Sequence, residues 1–144
     1  MKTKVIALDV YGTALPSEGA SVPRKGLESF LSRCKSKGLI LCTCSDGNTQ
    51  DVRDDLSEAG VDLGYFDEYF EMPRQEGNFK KQPKYFRPVL SHYNLSPEEL
   101  TVIGDRVERD IEPAKKLGCN AILVPEYKNA DDRDFFDLNS IDVL

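Results

Sequence analysis

Apolar residues in this chain gather into four short continuous runs, at residues 4–8, 39–44, 101–103 and 121–124. A strand with one wet face alternates apolar and polar positions, whereas uninterrupted runs of this length fit strands covered on both faces. Between the runs the period becomes that of a helix. Leu27, Phe30, Leu31 and Cys34 follow i, i+3, i+4, i+7, with Pro23 near the start and Gly38 at the end. Val52, Leu56 and Ala59 mark a second helix, led by Asn48 or Thr49 as cap and closed by Gly60. Phe86, Val89, Leu90 and Tyr93 mark a third, entered at Pro83; Ile111, Ala114 and Leu117 mark a fourth, closed by Gly118. This alternation predicts the α/β class, with one domain over residues 1–144 and helices covering both faces of a mostly parallel sheet. The polar segment 72–82 reads as a loop, and the acidic tail after Pro125 carries weak structural signals.

Composition narrows the function. At 144 residues, 40% hydrophobic and 31% charged, the chain is an ordinary globular domain able to bury a core. A net charge of −6 argues against nucleic acid as partner, since a nucleic-acid footprint needs clustered Lys and Arg. No run approaches the roughly 20 apolar residues of a membrane span, and the short N-terminal run ends in acid and Tyr-Gly, unlike a signal peptide. Cys34, Cys42, Cys44 and Cys119 form no CxxC pair and His92 is the only histidine, which argues against zinc and fits reduced thiols in the cytoplasm.

Parallel sheets place their sites beyond the carboxyl ends of the strands. Three of the four runs end in groups suited to chemistry: Asp9, Ser45-Asp46 and Gly104-Asp105. In Asp9-Val10-Tyr11-Gly12-Thr13, a carboxylate before a glycine turn can act as a nucleophile, or simply end a strand. Asp105 and Asp110 straddle a loop and the first turn of a helix. They can bind magnesium, which favours few carboxylates plus water, or can cap and favour the helix. Ser45 with Asp46-Gly47-Asn48 offers a hydroxyl and backbone N–H groups to an anion, or a plain helix cap. Lys80-Lys81-Gln82-Pro83 brings a cation before the third helix, or forms a solvated basic loop.

Together and in order, these four pieces resemble the motif set of the haloacid dehalogenase superfamily, over residues 5 to about 124. The resemblance implies a Rossmann-like three-layer αβα sandwich. It makes Asp9 the nucleophile and Ser45 the hydroxyl that holds the phosphoryl group. Lys80 is the family lysine, because Lys-Lys-Gln-Pro-Lys-Tyr-Phe resembles Lys-Pro-Asp-Pro-x-x-Phe, with Lys81 as second choice. Magnesium would be held by Asp9, Asp105 and the backbone carbonyl of Tyr11, with Asp110 completing the motif. Gly12, Thr13, Ser45, Asp46 and Lys80 would surround the phosphoryl group. The implied activity is magnesium-dependent phosphoester hydrolysis through a phospho-aspartyl intermediate, on a phosphorylated small molecule or a macromolecular phosphate ester.

Two features depart from that pattern. Family phosphatases carry a second Asp two residues after the nucleophile, as general acid and then base, where this chain has Tyr11. Such a group is worth about 10²–10⁴ in rate, so slow turnover or good leaving groups are expected. Tyr11 resembles instead the branch that includes the 2-haloacid dehalogenases, which act at carbon without magnesium. Those enzymes carry a helical cap, whereas only 36 positions separate Asp9 from Ser45 and 35 separate Ser45 from Lys80. An uncapped, open site is expected, onto which a second copy of the chain could close. Phosphate chemistry is the leading expectation. Haloacid-type chemistry, or a catalytically impaired phosphate-binding or interaction protein, is the alternative. Arg74 and Arg106 are candidates for substrate contact.

Overall fold

The computed structural model describes residues 2–72 and 83–143. Strands β1 (Val5–Leu8), β2 (Ile40–Ser45), β3 (Glu68–Glu71), β4 (Leu100–Gly104) and β5 (Asn120–Leu123) alternate with helices α1 (Leu27–Ser36), α2 (Thr49–Glu58), α3 (Arg87–Tyr93) and α4 (Glu112–Lys116). The sheet order is β3-β2-β1-β4-β5, and every pairing is parallel.

The continuous apolar runs have a direct cause. Ile6, Leu8, Leu41 and Ile103 face a core built with Leu27, Phe30 and Leu31 of α1 and Val52 and Leu56 of α2. Their neighbours Val5, Ala7, Cys42, Cys44, Leu100 and Val102 face a second core closed by α3 and Ala114 of α4. Every position of β1 and β4 is buried, and β2 is buried from Leu41 onward, so these strands are dry on both faces. Cys42 and Cys44 share a face as expected, and all four cysteines are buried and free. No helix among the described residues is long and apolar enough to cross a membrane.

Three elements differ from the sequence expectations. Strand β3, Glu-Tyr-Phe-Glu, carries no apolar run; it forms because β2 offers a free edge and Phe70 lies against His92 and Tyr93, with ring centroids 5.4 and 6.2 Å away. The fourth helix opens with a π turn, Val107–Ile111, before α4. Pro113 has no N–H to give the Arg109 carbonyl, and that carbonyl accepts from Lys84 N at 2.9 Å instead. The tail is packed rather than loose. Tyr127, Leu138, Ile141 and Val143 are buried, Tyr127 N donates to Gly12 O at 2.8 Å, and Leu138 N donates to Lys25 O at 2.9 Å.

If the tail belongs to the core, Leu138→Ala should lower stability by about 2–5 kcal/mol in urea unfolding, while Phe135→Ser, on a side chain 82% exposed, should change it by no more than about 0.5 kcal/mol.

Candidate active site

Strands β1 and β4 are neighbours at the centre of the sheet; the chain runs outward from β1 to β2 and β3 on one side, and from β4 to β5 on the other. The sheet's crevice therefore opens beside the ends of β1 and β4. Asp9 follows β1 and Asp105 follows β4. Together with Asp110, their carboxylates place one oxygen each within 4.8 Å of one another. A cavity of about 480 Å³ lies over them, also lined by Tyr11, Ser45, Asp46, Gly47, Lys84, Arg106 and Arg109.

Two glycines make that approach feasible. Gly12 has φ +94°, and a Cβ there would stand 2.7 Å from Asp105 Oδ2. A Cβ on Gly104 would stand 2.4 Å from Asp110 Cγ, so only glycine lets the Asp110 side chain lie against β4. Arg106 N then donates to Asp110 Oδ2 at 3.2 Å. The Thr13 hydroxyl donates to Asp9 Oδ2 at 2.8 Å and lies 3.2 Å from Asp105 Oδ1, tying the first loop to the fourth.

The cation beside the acids is Lys84. Its ammonium donates to Asp9 Oδ1 at 2.6 Å and to Cys44 O at 2.9 Å, and it stands 2.7 Å from Asp110 Oδ1. Lys84 is 5% exposed. Burial pulls its ammonium down, but Asp9 and Asp110 outweigh that and hold it above the ordinary lysine range. Burial raises Asp9 to about 6; Lys84 opposes the rise and Asp105 adds to it. Burial likewise raises Asp110, with Asp9 adding and Lys84 opposing.

Sequence reasoning assigned this lysine role to Lys80 or Lys81, which lie outside the described residues, as does Arg74. Lys84 was missed because three lysines fall within five positions. Nothing local distinguishes them; the bond from its N–H to Arg109 O is a tertiary fact. Also unforeseen were Arg109, ion-paired with Asp46 across the cavity, and Arg24. Arg24 is buried between the Tyr127 and Phe136 rings, 5.4 and 5.1 Å from their centroids, and its Nη1 donates to Thr13 O at 3.4 Å. Ser45 ends β2 with its hydroxyl accepting from Gly47 N at 3.1 Å, which shapes the turn into α2. Tyr11 lines the cavity, yet its hydroxyl donates to Asp55 of α2. Burial first, then Asp55, holds the phenol well above its usual range.

The three carboxylates are hard oxygen donors, the set suited to a hard divalent cation. Three acids against one lysine leave local negative charge uncompensated. The backbone agrees with that use. Val10 O, Gly12 O and Thr13 O each accept a hydrogen bond, whereas Tyr11 O accepts none among the described residues.

Asp9, Ser45, Lys84, Asp105 and Asp110 all fall in a region that matches a family model. Residues 6–118 match the haloacid dehalogenase-like hydrolase family, and the chain belongs to it. Among curated proteins, the glyceraldehyde 3-phosphate phosphatase of Methanocaldococcus jannaschii is 33% identical over 118 residues, covering 79% of this chain and 51% of that protein. The phosphoserine phosphatase of Thermus thermophilus is 28% identical over 105 residues, covering 73% of this chain and 41% of that protein. The chain thus spans about half the length of the curated relatives it matches. Among solved structures, a predicted phosphoglycolate phosphatase from Haemophilus somnus superposes with TM-score 0.70 at 16% identity, over 90% of this chain and 89% of that one. L-2-haloacid dehalogenase from Xanthobacter autotrophicus superposes with TM-score 0.68 at 13% identity, over 85% and 77%. At such identities these two establish the fold alone.

Asp9 is held protonated to a higher pH in the folded chain, about 6 against 3.8 for the free side chain. Its burial therefore costs nothing below about pH 4 and most above about pH 6. In cation-free buffer, the stability of Asp9→Asn relative to the parent should rise by up to about 3 kcal/mol between pH 4 and 6, then level off. Urea unfolding of both proteins across that range measures it.

Proposed function

We propose that this chain is a magnesium-dependent phosphohydrolase whose nucleophile is Asp9, and that residues 1–144 form one core domain without a cap. The observation that carries this reading is the gathering of the Asp9, Asp105 and Asp110 carboxylates within 4.8 Å, with the Lys84 ammonium 2.6 Å from the nucleophile. The names of the relatives support phosphorylated compounds as the substrate class.

Asp9, Asp105, Asp110 and the Tyr11 carbonyl would hold the cation, which when bound neutralises phosphoryl oxygens and fixes their direction. The rest is done by the chain. Thr13 holds one Asp9 oxygen and Lys84 the other, so the carboxylate meets phosphorus in a fixed orientation. Lys84 offsets charge on the equatorial oxygens, and the Ser45 hydroxyl with the N–H groups of the following turn receives another. In this reading Lys84 takes the part that the sequence pattern gave to Lys80. Asp9 attacks, the ester oxygen leaves, and water then frees phosphate from the aspartyl group.

Haloacid chemistry at carbon is the weaker reading, because it gives three clustered acids no task. Four free, buried cysteines support the cytoplasm as the compartment. Phosphate release from p-nitrophenyl phosphate should require magnesium, stop with EDTA, and fall at least 10³-fold in Asp9→Asn and Lys84→Met. Equal turnover by parent and Asp9→Asn would remove the nucleophile assignment. EDTA-resistant chloride release from 2-chloropropionate would move the chemistry to carbon.

A further inference from the structure

Tyr11 stands two residues after Asp9, where related phosphatases carry the carboxylate that protonates the leaving group and then accepts a proton from water. Here the phenol has one proton, and it is donated to Asp55 on α2. The ring is held as well: a Cβ on Gly47 would lie 3.3 Å from Tyr11 Cε2, so the turn after β2 packs directly on it. The hydroxyl is thus fixed to a helix of the scaffold rather than offered to the reacting group. Asp46, the next acid lining the cavity, is engaged by Arg109. Glu18 and Glu126 sit exposed at its rim, with no hydrogen bond to Asp9 among the described residues. Asp9 itself is fully equipped, with Thr13 on one oxygen and Lys84 on the other. Among the described residues, nucleophilic attack is provided for and proton transfer is not.

Resting on the hydrolase reading, we propose that the chain takes acyl phosphates as substrates and stays phosphorylated on Asp9 between turnovers, because Asp55 withholds Tyr11 from the water step. In the first step an Asp9 oxygen bonds to phosphorus and the bond from phosphorus to the acyl oxygen breaks. The electron pair leaves on a carboxylate, which needs no proton. An alkyl ester would have to leave as an alkoxide, and no placed acid stands ready for it among the described residues. In the second step water bonds to phosphorus, the phosphorus–Asp9 bond returns its electron pair to the carboxylate, and the water must lose a proton. With no placed base among the described residues that step is slow, by about the 10²–10⁴ such a group supplies.

The full chain is mixed with magnesium and acetyl phosphate, while acetate and phosphate release and the intact protein mass are followed. The expected result is a burst of one acetate per chain and a steady rate at least tenfold slower. A hydroxylamine-sensitive phosphoryl adduct should appear that Asp9→Asn lacks, with glycerol 1-phosphate giving neither burst nor adduct. Tyr11→Asp should shorten the adduct's lifetime about 10²-fold and admit glycerol 1-phosphate. Steady turnover of acetyl phosphate without burst or adduct overturns the proposal while leaving the hydrolase intact, as does glycerol 1-phosphate consumed as fast as acetyl phosphate. A longer-lived adduct in Tyr11→Phe, Glu18→Gln or Glu126→Gln would reveal a working base and also overturn it. Neither phosphate release nor adduct from acetyl phosphate or p-nitrophenyl phosphate would remove the hydrolase reading itself.

Discussion

Removing a lysine ammonium from water is costly, and Lys84 tolerates it because two carboxylates and a backbone carbonyl surround the charge. Asp9 and Asp110 stand 2.6 and 2.7 Å away, and the Cys44 carbonyl at 2.9 Å accepts as well. The dependence runs both ways. Without the ammonium, two buried carboxylates would face each other and Asp105 in a region of low dielectric. The carboxyl end of the sheet is organised around keeping this cluster together while leaving it short of positive charge. That shortfall is what a divalent cation and a phosphoryl group would meet.

Several backbone choices far apart in sequence serve the same cluster. Gly104 lets the Asp110 side chain lie on β4, Gly12 lets Asp105 approach the first loop, and Pro113 leaves a carbonyl free to receive the Lys84 N–H. None of these residues carries reactive chemistry. Each removes an atom, a Cβ or an amide hydrogen, that would hold apart groups that have to meet. The tail adds a clamp from behind: Tyr127 N holds Gly12 O, and Arg24, between two aromatic rings, holds Thr13 O. The acidic tail thereby becomes part of the support for the loop that follows Asp9.

The fold is shared by proteins described as a phosphatase and as a dehalogenase, so the fold by itself selects neither chemistry. Selection lies in a few side chains at the strand ends. In the proposed reading, Asp105 and Asp110 would favour phosphate held through a cation. Tyr11, turned onto Asp55, would then set how far the reaction runs and on which leaving groups.

The chain's pattern of apolar positions located four strands and four helices, because strands buried within the sheet and helices dry on one face leave periods that local sequence displays; it did not fix the start of α3, which is Arg87 rather than Pro83. Asp9, Ser45 and Asp105 were legible for the same reason: each ends such a run, and topology puts those ends on one edge. Strand β3 was not legible, since an edge strand of Glu-Tyr-Phe-Glu takes its conformation from the neighbour it pairs with. Nor could the sequence show that Lys84 would stand between Asp9 and Asp110, or that Tyr11 would turn toward a carboxylate 44 residues away. Those outcomes depend on which groups meet after folding, where burial and long-range hydrogen bonds outweigh any preference that neighbours along the chain can express.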